Sequence, residues 1–126
     1  MTPQKQLFTH NPPTSIGDCE RTAIACLLDL PLTEVPHFGA LHWDDSTLFN
    51  QSEDAYLLSV GYSRVQIPYD RPLDEVLGSM RYCAPNVYYL LSGTSRTGVN
   101  HTVICNTDLI VWDPSTVDSG IIAPCS

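Results

Sequence analysis

Positive charge is what this sequence has least of. Six Lys and Arg stand against fourteen Asp and Glu, for a formal net charge of −8 at pH 7. Phosphate-rich partners are held by Lys and Arg, so this balance argues against DNA, RNA or an anionic membrane as main partner. It also favours solubility. Long apolar runs are missing too. No segment approaches the roughly 18 apolar residues of a transmembrane helix, and "MTPQKQLFTHNPPTS" at the start has no apolar stretch of the kind a secretory signal carries. The expectation is a cytoplasmic protein that does not engage a membrane. Cysteine is present but not in stapling pairs: Cys19, Cys26, Cys83, Cys105 and Cys125 are an odd number and contain no CxxC. A disulfide framework or a zinc ribbon fits this poorly, and reduced thiols fit it well. No internal repeat or low-complexity tract occurs.

What is present is a globular composition, 43% hydrophobic over 126 residues, enough for one domain, 1–126, with a core of its own. Residues 1–13 are polar, contain the adjacent Pro12 and Pro13, and predict an extended lead-in. "TSIGDCERTAIACLLDLP" (14–31) predicts a helix from about Asp18 to Asp29, stopped by Pro31. Its N-cap is either Asp18, or Ser15 with Asp18 three residues on as a loose capping box. Both choices leave Cys19 in the first turn. Cys19, Ala23, Cys26 and Leu27 share one helical face by spacing, so Cys19 belongs to the buried stripe.

Pro31, Pro36 and Gly39 break the next stretch into a short helical turn and a loop. Residues 46–61 predict a second helix, capped by Ser46 and stopped by Gly61. "YSRVQIP" (62–68) alternates like a strand, and 72–80 predicts a short helix with Pro72 near its first position. The last third changes character. Residues 86–93, 100–106 and 109–114 are rich in β-branched and aromatic residues, separated by "GTSRTG" and "NTD". They predict an antiparallel meander. The fold class is α+β, with the N-terminal helix that carries Cys19 packed on a small C-terminal antiparallel sheet.

A cysteine nucleophile needs a thiolate, a base and a group to orient the base. The first turn of a helix favours negative charge and lowers a thiol pKa, while the neighbouring Asp18 raises it, so a partner base matters. His101 opens one late strand and Asp113, in "WDP", ends the next. A three-residue turn at Asn106, Thr107 and Asp108 pairs Cys105 with Leu109 and sets His101 opposite Asp113 on one face. A two-residue turn sets His101 opposite Pro114 and turns Asp113 to the other face.

"GDC" at a helix start, followed by "NHTVI" and "WDP" on neighbouring late strands, resembles the papain-like cysteine hydrolases. The similarity is closest to their minimal forms, of the NlpC/P60 and C39 types, and to short papain-like proteins carried by bacteriophages. The order Cys, His, Asp matches, over roughly residues 14–31 and 86–115. The resemblance implies that Cys19 attacks a carbonyl carbon, His101 acts as base and then protonates the leaving amine, and Asp113 orients His101. It implies that the Cys19 backbone N–H forms part of an oxyanion hole. Many members complete that hole with a Gln a few residues before the cysteine. None stands close before Cys19 here, and Asn11 is the candidate in its place.

The expected activity is therefore hydrolysis of an amide, peptide or isopeptide bond through an acyl-enzyme, with no metal and no organic cofactor. The substrate is a protein or peptide, in host cytoplasm if the chain is bacteriophage-encoded. Two other readings use the same fold: a catalytically weak binding or sequestering protein directed at host defence, and an acyltransferase on the same triad. The remaining features have plainer readings. Cys26 and Cys105 are expected in the core. His37 and His42, with Asp44 and Asp45, match no zinc spacing and are expected in a solvated loop. His10 is expected on the surface. Trp43 and Trp112 are expected to anchor packing, with Trp112 facing away from His101.

Overall fold

The computed structural model describes residues 1–125. Its elements are α1 (Cys19–Leu28), α2 (Phe38–His42), α3 (Ser46–Ser59), α4 (Leu73–Cys83), β1 (Tyr88–Thr94), β2 (Asn100–Asn106) and β3 (Leu109–Trp112), with a 3-10 turn at Leu32–Glu34. The strands form one antiparallel sheet in the order β1-β2-β3. This is the α+β arrangement of helices first and a meander last. No helix among the described residues is long and apolar enough to cross a membrane.

The central element is α1, which is buried on two sides. Ala23 and Cys26 pack on Ile104 of β2 and against Trp112. Ile24 and Ala25 pack on Leu32, Val35 and Phe38, with Phe49, Tyr56 and Leu57 of α3 behind them. The opposite face of the sheet, with Leu91, Val103, Cys105 and Ile121, is covered by Tyr69 and by Leu73, Val76 and Leu77 of α4. Cys26 and Cys105 are both fully buried. Residues 2–8 strap the open end of this stack. Thr2 N–H donates to Cys26 O at 2.9 Å, Gln6 N–H to Pro114 O at 2.9 Å, and Trp112 Nε1 to Gln4 O at 2.8 Å.

Three details differ from the pattern read in the sequence. Asp45, not Ser46, caps α3, its Oδ1 accepting from Thr47 N and Leu48 N, both at 3.1 Å. Residues 62–68 form no strand. Arg64 turns inward to Asn50, Glu53 and Asp54 of α3, while Val65 and Ile67 are 86% and 77% exposed. The alternation is there, but Arg64 alone turns inward and Gln66 on the same face stays exposed. The edge of β1 at Thr94 is already occupied by Ala123, so that edge offers 62–68 no ladder to join.

The third difference concerns the hairpin register. Asn106 pairs with Leu109 and Cys105 with Ile110, which is a two-residue turn. Thr107 takes the positive φ, 54°, that such a turn requires at its first position. One step further Ile104 pairs with Trp112, so Val111 is an extra residue in β3. This bulge restores the parity that the two-residue turn removes. Asp113 thereby returns to the face of His101, by a route different from the three-residue turn.

Candidate active site

Cys19 is the first residue of α1, and Asp18 occupies the N-cap position without capping. The Asp18 carboxylate, 1% exposed, turns back instead to accept from Leu7 N at 3.3 Å, Phe8 N at 2.8 Å and Arg21 Nε at 3.0 Å. Its charge is thus matched inside the fold. Gly17 is required by a close approach: a Cβ there would lie 2.8 Å from His10 Cβ. His10 is exposed, but its Nδ1 accepts from Gly17 N at 3.1 Å, which fixes the loop that leads into "GDC".

The Cys19 thiol is not poised as a thiolate. Burial pushes it up to about 12, and the charge of Glu20 adds to this; the backbone amides of Thr102 and Glu20 pull the other way. The helix start supplies amides as expected, but desolvation outweighs them.

His101 and Asp113 are joined. His101 Nε2 lies 2.6 Å from Asp113 Oδ1, and the imidazole is 5% exposed as a residue. Asp113 is fixed by two further donors, Ser115 N to Oδ1 and Gly120 N to Oδ2, each at 2.8 Å. Burial pushes the Asp113 carboxyl up, but the hydrogen bonds from His101, Ser115 and Gly120 outweigh it and hold the group below its ordinary value. Gly120 is carried there by the C-terminal segment, which pairs with β1 through Thr94 N to Ala123 O at 2.9 Å and Ile122 N to Thr94 O at 2.8 Å.

Cys19 and His101 line the same cavity, of about 650 Å³. They make no hydrogen bond to each other among the described residues. The alternation of β2 explains why. Thr102 points to α1, where its Oγ1 donates to Glu20 Oε2 at 2.6 Å. His101 shares parity with Val103 and Cys105, which face α4. The structure therefore assembles the His101–Asp113 dyad and brings it to the cavity of Cys19, without closing the third contact.

Asn11 is not among the residues lining this cavity. It is exposed and forms a backbone bridge with Ser15. An amide that sequence reading passed over does line it, that of Gln6. Gln6 Nε2 donates to Phe8 O at 2.6 Å, while Oε1 is buried without a partner. Its place in an apparently featureless lead-in, thirteen positions before Cys19, gave no periodic signal. Trp43 is also on the cavity wall and 51% exposed, so it is a rim residue more than a packing anchor. His37 is fixed by Ile16 O at 3.0 Å and caps α2 through Ala40 N at 3.3 Å. Trp112 packs on the α1 side of the sheet, away from the dyad. No protein-family model, curated protein or solved structure matches this chain.

Proposed function

We propose that this chain is a small cysteine hydrolase of papain-like type, cleaving an amide, peptide or isopeptide bond through an acyl-enzyme on Cys19. The observation that carries this reading is the His101–Asp113 bond of 2.6 Å, opening on the cavity that also holds the first residue of α1. Asp113 uses Nε2 of the ring, which leaves Nδ1 to take the thiol proton. Sγ then attacks the carbonyl carbon, the C–N bond breaks, and His101 returns the proton to the leaving amine. Water, deprotonated by His101, releases the acid and regenerates the thiol. The Cys19 N–H is one oxyanion donor. Gln6 is a better second donor than Asn11, by swinging its amide from Phe8 O toward the cavity.

Because burial holds the resting thiol protonated, ionisation belongs to the substrate-bound site, where His101 must move onto Sγ. Labelling by iodoacetamide tests this at each cysteine across pH, in wild type and His101→Ala. With a substrate-sized peptide present, Cys19 is expected to react faster than the other thiols below pH 7. His101→Ala is expected to slow that reaction and to lower kcat/KM by about 10²–10⁴-fold. Cys19 labelling that ignores both peptide and His101 would sink the hydrolase reading. One observation favours a second reading, a binding protein on the same scaffold: the half-buried Cys19, its thiol facing the Thr102 amide and unlinked to His101. That reading predicts stoichiometric peptide capture, equal in wild type and Cys19→Ala, with no turnover.

A further inference from the structure

Behind Cys19 lies a cluster of acids that the proposed chemistry does not use. Glu53, in the middle of α3, is 1% exposed. Its Oε2 accepts from Arg64 Nη1 at 2.7 Å, and its Oε1 is buried with no partner among the described hydrogen bonds. The Glu20 carboxyl of α1 faces Glu53, and with both groups ionised neither can donate to the other. On its other side Glu20 Oε2 accepts from Thr102 Oγ1, whose hydroxyl also meets Ser92 Oγ at 2.8 Å.

Ionised carboxylates only accept hydrogen bonds. Two of them in contact, one deeply buried, are satisfied only when one carries a proton. The charges around the pair agree. From the 62–68 segment Arg64 faces Glu53 and also Asp54, at 3.0 Å, so one guanidinium serves several acids. From α1 Glu20 faces Cys19, and from the C-terminal segment Cys125; Asp18, the other acid at the start of α1, is already matched by Arg21. No second cation reaches the pair among the described residues.

We propose that Glu20 and Glu53 hold one proton between them, Glu53 donating to Glu20, and that this acid pair ties α3 to the start of α1 and sets the Thr102 amide against the Cys19 thiol. Both are positioning residues. The proton sharing stands by itself, while its consequence for Cys19 matters to function only if the hydrolase reading holds. Burial and the neighbouring Glu20 push Glu53 well above its ordinary 4.5, against the pull of Arg64. A raised folded-state value gives stability that is complete below the ordinary value and is lost as pH rises through the raised one.

Carbon-13 NMR of the four glutamate carboxyls tests this in the full chain. One resonance is expected to titrate above pH 7 and to be missing in Glu53→Gln, whose amide keeps a donor for Glu20. The variant is expected to match or exceed the wild-type Tm at pH 7 and to lose the alkaline fall in Tm. Iodoacetamide labelling of Cys19 reads the positioning. Glu53→Leu removes the donor, concentrates charge on Glu20 and is expected to slow labelling at pH 7.5 by about threefold, half a unit in thiol pKa, while Glu53→Gln retains the wild-type rate. Four glutamates titrating below pH 6, or a Glu53→Gln Tm that falls at pH 7 as a broken Arg64 ion pair would require, overturns the shared proton. Equal labelling in Glu53→Leu and wild type overturns the positioning. Neither readout involves substrate, so both are separable from a failure of the hydrolase reading.

Discussion

At the scale of the residue, Asp113 is tightly constrained, with three donors on two oxygens. Asp113→Asn keeps the shape but turns one acceptor into a donor facing donors, and should cost about 1–3 kcal/mol near neutral pH. The Asp113 carboxyl lies below its ordinary value of 3.8. Its stabilisation is therefore present above about 3.8 and fades as pH falls through the folded-state value. Urea denaturation of both proteins at pH 6 and pH 3 checks this: the gap should be wide at pH 6 and narrow at pH 3. A gap that widens in acid would mean that Asp113 is not held as the anion. The places of Cys19, His101 and Asp113 at the ends of elements were legible in sequence, because turn and cap residues mark those boundaries. Gln6 and Glu53 were not. Gln6 lies in a strap with no periodicity, and an acid in mid-helix reads as a solvated face until Arg64 and Glu20 are seen against it.

At the scale of the element, the helices around α1 and the three late strands were legible because periodicity and breakers agree there. The 62–68 segment was not, since alternation records which residues share a face and not whether a neighbour is free to pair. The hairpin carries the same lesson. Turn length alone puts Asp113 on the wrong face, and the extra Val111 corrects it. Deleting Val111 should close the bulge, rotate Asp113 away and leave His101 without its partner, read as loss of the strongly hydrogen-bonded Nε2 proton by NMR. A retained Nε2 signal in the deletion would show that the "DPS" corner, and not the bulge, places Asp113. Gly93, opposite His101, is a second fixed point. A Cβ there would collide with the Ala123 carbonyl oxygen and lie 2.6 Å from Ile121 Cγ2 and 2.8 Å from the Tyr69 hydroxyl. Gly93→Ala should destabilise by about 1–3 kcal/mol through overpacking and loosen Gly120 from Asp113. Chemical denaturation gives the first effect, and amide exchange at Gly120 the second.

At the scale of the whole molecule, charge is distributed unevenly between the cavity and its surroundings. The charged residues on the cavity wall are Asp18, Arg21 and Glu20. Asp18 and Arg21 neutralise each other at 3.0 Å, and Glu20 is held by Thr102. The wall otherwise offers imidazoles, hydroxyls, the amides of Gln6 and Asn100, and the apolar groups of Trp43, Phe49, Val99 and Val117. No Lys or Arg there, among the described residues, is free to hold an anionic substrate, while the chain as a whole carries −8. Long-range attraction then favours a basic or neutral peptide, and acts on encounter more than on the bound state. If the chain is a hydrolase, kcat/KM for a peptide with two added Lys should fall as salt rises from low to physiological ionic strength, because the Debye length shrinks to about 8 Å. For the same peptide with two added Glu it should rise, with kcat nearly constant in both series. Stopped-flow association of labelled peptides with Cys19→Ala gives the same comparison without turnover, and so applies equally to the binding reading. Parallel salt curves for the two peptides would place the recognised charge inside the cavity, on Glu20, and not in the field of the surface.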